Sequence, residues 1–245
     1  MFLFLRLILG HFIGDFILQT NKIYELKHYH GLRGGLPHAL FISASYIAVS
    51  WPYLALPQVW LFILFLGLTH LLQDSLKVGF AGFAKYSFWL FLTDQFSHIA
   101  LISTVFLTDL RNLPPPVPVN RLVFLYNHNS AILYLIALIA ATYNGFYLIR
   151  SFKVTFCAHA AKYTRFEKWY GILERAFIVT VFALPQQYFL FIPLALLRFV
   201  VFALARNKDI IPADFIKPKE IFLSWIIAVT VGIIFLLLEM LTRYS

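Results

Sequence analysis

Apolar runs of fifteen to twenty-three residues follow one another along almost the whole chain, and no other feature restricts its fold as much. Such a run crosses a hydrocarbon core of about 30 Å as a helix rising about 1.5 Å per residue. Inside lipid every backbone N–H and C=O must be satisfied within the chain, so the runs are read as helices. Eight are legible: Phe2–Gln19, Leu36–Leu56, Gln58–Val78, Tyr86–Thr108, Asn129–Arg150, Tyr170–Leu184, Gln186–Leu204 and Glu220–Leu241. The expected fold class is all-α, a polytopic transmembrane helix bundle of about eight spans. Hydrophobic residues make up 61% of the chain, against roughly 45–50% in soluble domains, which leaves no room for a sizeable soluble domain.

Prolines punctuate the pattern. Pro57 and Pro185 separate hairpin partners, because proline cannot continue a helix ladder. Leu113-Pro114-Pro115-Pro116-Val117-Pro118 cannot be helical. The expected organisation is a four-span half over 1–112, a proline-rich linker over 113–128, and a second four-span half over 129–245. Near 151–170 the second half interleaves Phe152, Phe156, Tyr163 and Trp169 with Lys and Arg. That segment reads equally as a surface-lying amphipathic helix on the cytoplasmic side or as an extension of the fifth span. The single Cys157 excludes an intramolecular disulfide. The first run lacks a charged leader and a small-residue cleavage site, so it is expected to be retained.

The net charge of +9 is informative through its distribution, which speaks for topology and against a nucleic-acid partner. Lys22, Lys27 and Arg33 follow the first run, and Lys77 and Lys85 the third. Arg150, Lys153, Lys162, Arg165 and Lys168 follow the fifth, and Arg206, Lys208, Lys217 and Lys219 the seventh. Only Arg111, Arg121 and Arg243 fall on the opposite side. Basic loops stay in the cytoplasm, so both termini are expected on the non-cytoplasmic side of a bacterial inner membrane.

Against this apolar background, His11, Asp15 and Gln19 stand at i, i+4 and i+8 within the first run, inside a helical wedge of roughly 80°. The third run ends in His70-Leu71-Leu72-Gln73-Asp74-Ser75-Leu76-Lys77, and the fourth carries Asp94-Gln95-Phe96-Ser97-His98; His38 opens the second. In the expected topology the seven histidines and aspartates lie at one depth, the cytoplasmic half of the membrane. Ionisable residues are costly there and mark functional sites. A His/Asp pair four apart presents a nitrogen and a carboxylate from adjacent turns, so one metal can take both. Expected metal ligands are His11, Asp15, His70, Asp74, Asp94 and His98, around one or two divalent ions, zinc or manganese. His38 is a further ligand or general base, and Lys77, Gln19 and Gln95 are candidates to hold a substrate oxygen. Taken singly, any His/Asp pair could be only a buried couple fastening two helices. In the second half, Glu174 beside Arg175 or Arg198 reads as a helix-docking ion pair.

The run from His11 to Thr20, followed by His70, Asp74 and Lys77 and by Asp94, Gln95 and His98, resembles a bacterial membrane family filed as domain of unknown function 3307. The resemblance covers about the first 110 residues. Gly171 to Arg175 and Leu197-Arg198-Phe199 look like a C-terminal region of some members. The polar pattern is more loosely similar to membrane-bound metal-dependent hydrolases. The expected function is a metal-dependent hydrolase acting from the cytoplasmic face, with membrane lipid as partner and a lipid-linked phosphoester as substrate. The alternatives are a cation- or proton-coupled transporter and a scaffold stapled by metal. Since the outer half offers few polar groups, a through-path is the poorer fit.

Overall fold

The computed structural model describes residues 1–80, 86–157, 164–184, 188–190, 196–201, 203 and 218–243, and all regular structure among them is helical. The chain divides into two compact units, Met1–Ile132 and Leu133–Ser245.

The first unit contains α1 (Phe2–Phe12), which runs directly into a π-turn at Ile13–Ile17, then α2 (Asn21–Val49), α3 (Pro57–Phe80), α4 (Ser87–Ser103) and the short α5 (Arg121–Asn127). Thr20 starts α2 as its N-cap, its hydroxyl accepting from the Ile23 N–H. Such a cap satisfies one of the orphan donors of a first turn. Gly31, at φ 51°, kinks α2 in a region that only glycine enters freely. Residues 21–35 are therefore helical on both sides of a kink, where the sequence reads as a loop. Helix α6 (Asn129–Ile139) carries the chain into the second unit.

Close approach of α1 to α2 depends on two glycines. A Cβ at Gly10 would meet Val49 at 2.9 Å, and one at Gly14 would meet Ile42 at 2.6 Å. Gly10 and Gly14 form the four-residue small-residue spacing that lets membrane helices touch backbone to backbone. That approach brings the turn carrying His11 and Asp15 against the helix carrying His38.

Helix α3 shows how the unit suits lipid. Val59, Phe62, Ile63, Leu66, His70 and Asp74 are buried along one face, while Leu61, Leu64, Leu68, Leu72 and Leu76 are exposed on the other. Large apolar side chains point outward and ionisable ones inward, the reverse of a water-soluble helix. Four helical stretches among the described residues are long and apolar enough to cross a membrane: Pro57–Gly79, Ser87–Leu107, Asn129–Phe156 and Glu220–Thr242. They coincide with the third, fourth, fifth and eighth runs of the sequence, and mark the protein as membrane-associated.

In the second unit a π-turn at Ala140–Asn144 links α6 to α7 (Gly145–Phe156). Residues 152–156 thus continue the helix of the fifth run. Helix α8 (Arg165–Ala183) begins with a reciprocal capping box between Thr164 and Glu167. It lies against α9 (Pro218–Arg243), where Gly232 leaves room for Phe182; a Cβ there would come within 2.6 Å of the ring. About half of the seventh run, Gln186–Leu204, lies outside the described residues.

Candidate metal centre

The first unit gathers its ionisable residues into one buried cluster. His11 and Asp15 come from α1 and its π-turn, Lys27 and His38 from α2, His70, Asp74 and Lys77 from α3, and Asp94, Gln95 and His98 from α4. The i, i+4 spacing works as the helical period requires, stacking each histidine over its own carboxylate. His11 and His38 are wholly inaccessible to solvent.

Four lone-pair-bearing atoms converge at the centre. His38 Nε2 lies 3.1 Å from Asp15 Oδ1, 3.2 Å from His70 Nε2 and 3.5 Å from Asp74 Oδ2. His70 Nε2 lies 3.4 Å from the same Asp74 oxygen. A neutral imidazole nitrogen offers either one proton or one lone pair, so His38 Nε2 cannot satisfy three such neighbours by hydrogen bonding. A cation among them can. Around a tetrahedral ion with arms of about 2.0–2.1 Å, neighbouring ligand atoms stand about 3.3–3.4 Å apart. The triangle of His38, His70 and Asp74 has edges of that size.

The surroundings fix the carboxylates. The Lys27 ammonium donates to Asp74 Oδ2 at 2.6 Å, and the Lys77 ammonium to Asp94 Oδ2 at 2.6 Å. The Gln95 amide donates to Asp15 Oδ2 at 3.1 Å and to Asp94 Oδ2 at 3.2 Å. His98 Nδ1 donates to the Asp94 backbone carbonyl at 2.8 Å, which leaves the Nε2 lone pair facing inward. Three carboxylates and two ammoniums leave the cluster one positive charge short, a deficit that a bound cation would offset.

Nine of the ten residues singled out from the sequence meet here. Gln19 does not. The helix stops at Ile17, and Gln19 lies half-buried beyond it, with no hydrogen bond to the cluster. Asp94 is held by Lys77 and Gln95 and stands behind the central atoms. Lys27 was legible only as a loop charge, and its place against Asp74 had no sequence signal beyond falling on the same helix as His38. His30 is exposed, and the side chain of His28 lies outside the described residues.

The second unit has its own buried polar group. Arg198 donates to Glu174 Oε2 at 2.7 Å, and Ser224 and Trp225 also donate to that carboxylate, at 3.1 and 3.3 Å. Arg175 donates through Nε to the Ala141 carbonyl at 2.7 Å, and through its two terminal nitrogens to the Thr142 carbonyl at 3.2 Å and Ser224 Oγ at 3.1 Å. Glu174 is thus paired with Arg198, and Arg175 serves the π-turn. Gly171 leaves space for that guanidinium, since a Cβ there would lie 3.1 Å from it.

Residues 3–115 match the family model described as Protein of unknown function (DUF3307), the stretch that holds every residue of the cluster. Neither the curated proteins nor the solved structures provide a match to the chain. The looser likeness to membrane-bound metal-dependent hydrolases gains no support from these comparisons.

Proposed function

With a first unit that matches a family of unknown function, we propose that the chain is a metal-dependent membrane hydrolase acting on a lipid or lipid-linked phosphoester. One observation carries this reading: the convergence of His38 Nε2, His70 Nε2 and Asp74 Oδ2 on edges of 3.2, 3.4 and 3.5 Å, with Asp15 Oδ1 beside them. Mixed nitrogen and oxygen donors without a thiolate suit zinc or manganese. A divalent ion bound here supplies hydroxide at neutral pH. With one ion and one hydroxide, the cluster of three carboxylates and two ammoniums becomes electrically neutral. Lys77, on the face of α3 that carries His70 and Asp74 and paired with Asp94, would in this reading balance charge developing on a substrate oxygen.

In this reading the eight runs are eight spans of a bacterial inner-membrane protein with both termini outside. The segregation of basic residues supports that topology. Cysteine labelling in a Cys157→Ser background tests it: Thr164→Cys should react only from the cytoplasmic side and Pro115→Cys only from the other. Labelling of both from one side removes the topology.

Turnover tests the chemistry. Full chain in mixed micelles should release product from a lipid phosphoester, stop on chelation and recover when zinc or manganese is restored. Lys77→Met should keep its metal and lose at least about 100-fold in kcat, the scale on which single charge-stabilising groups act. A parent that binds metal tightly and turns over no phosphoester is a stapled scaffold.

A further inference from the structure

We infer a second metal ion, held by His11 and His98 beside the first and making the cluster a dinuclear centre for phosphate monoesters. This rests on reading the first four atoms as a metal site.

The observation is a histidine with nothing to do. His11 is wholly buried, yet neither of its ring nitrogens has a hydrogen-bond partner among the described residues. Stranding a buried polar atom costs about 1–3 kcal/mol, so two on one ring are hard to explain structurally. His98 Nε2 is likewise buried and without a partner, while its Nδ1 is committed to the Asp94 carbonyl. Its tautomer is therefore the one a metal ligand needs.

Ring geometry is compatible with two ion-sharing pairs among the four histidines. Two imidazoles sharing a tetrahedral ion through one nitrogen each have centroids about 5 Å apart, given arms of about 2.0–2.1 Å. His38 and His70 stand at 5.1 Å, and His11 and His98 at 4.9 Å. The pairs adjoin, with His70 and His98 at 4.2 Å. Asp74 serves both sides. Its Oδ2 faces His38 and His70, and it also groups with His70 and His98, with one ligand atom from each within 4.8 Å of the others.

Charge then selects the substrate. Two divalent ions and one hydroxide, added to three carboxylates and two ammoniums, leave two positive charges in excess. A phosphate monoester dianion cancels them, and a neutral ester or amide does not. Paired ions about 3.5–4 Å apart suit in-line displacement at phosphorus. The hydroxide oxygen bonds to phosphorus as the ester P–O bond breaks, its electron pair passing to the alcohol oxygen, which takes a proton from water. One water is consumed, and inorganic phosphate and an alcohol are released.

Elemental analysis of the detergent-purified full chain loaded with zinc or manganese should find two ions per chain. His11→Gln/His98→Gln should hold one, with its helical circular dichroism unchanged; should that double variant unfold, His98→Asn alone should also hold one. One ion in the parent overturns the second site and leaves the first; none overturns both. A folded variant that still holds two ions overturns the assignment to His11 and His98. Phosphate released from a lipid phosphomonoester in mixed micelles identifies a headgroup substrate, and release from a water-soluble monoester alone identifies a free one. Release from neither overturns the substrate class.

Discussion

Asp74→Ala is expected to empty the first unit of metal, lowering affinity by well over 100-fold. Even partners that only support a ligand cost about 10–100-fold when removed, and Asp74 Oδ2 is a corner of the central triangle. The substitution has a second effect. Lys27 donates to that oxygen at 2.6 Å and is itself buried, so the alanine strands an ammonium at a cost of about 3–5 kcal/mol. The two effects separate in Asp74→Ala/Lys27→Met. Thermal stability should return most of the way, and metal content should not return at all. Equal metal in Asp74→Ala and the parent, by elemental analysis, removes Asp74 from the ligand set.

Arg175→Met should leave metal content untouched and strike the second unit instead. It strands the carbonyl of Ala141, inside the π-turn where the helix ladder is already interrupted, and removes one donor from that of Thr142, which keeps the Gly145 N–H. A buried acceptor without a donor costs about 1–3 kcal/mol. Arg175→Lys should recover less than half of that, because an ammonium cannot reproduce a fork that reaches two carbonyls and a hydroxyl together. Unfolding followed by circular dichroism checks the size and order of the two losses. A melting curve for Arg175→Met that overlays the parent's means the guanidinium does not hold the turn.

The sequence disclosed the cluster because its signal has the helical period. Pairs four apart, His11 with Asp15, His70 with Asp74, and Asp94 with His98, present adjacent turns whatever the tertiary packing. What it concealed depends on departures from that period. Gly31, Gly34, Gly35 and Pro37 within one short stretch are breaker residues, and they mark a loop as readily as the kinked helix found there. Lys27 was hidden by that ambiguity, being a basic residue in an expected loop and a buried partner of Asp74 in the folded chain. Gln19 was misplaced for the complementary reason. Its eight-residue offset from His11 has meaning only if the helix continues, and it stops at Ile17. The four-residue spacing of Gly10 and Gly14 accounts for how closely α1 approaches α2. In the second unit, the choice of Arg198 over Arg175 as the partner of Glu174 required coordinates, since both arginines were at hand.

Both π-turns amount to an α-helix carrying one surplus residue. A chain one residue shorter between Phe12 and Leu18 would close into plain α-helix. Everything before it would then rotate by about 100° around the axis, swinging His11 off the stack it forms with His98 and turning Arg6 away from Asn129. The same arithmetic applies at Ala140–Asn144, whose carbonyls meet Arg175. In these two five-residue stretches length is fixed as tightly as the identities of Gly14 and Asp15: a single-codon deletion would throw the preceding helix out of phase.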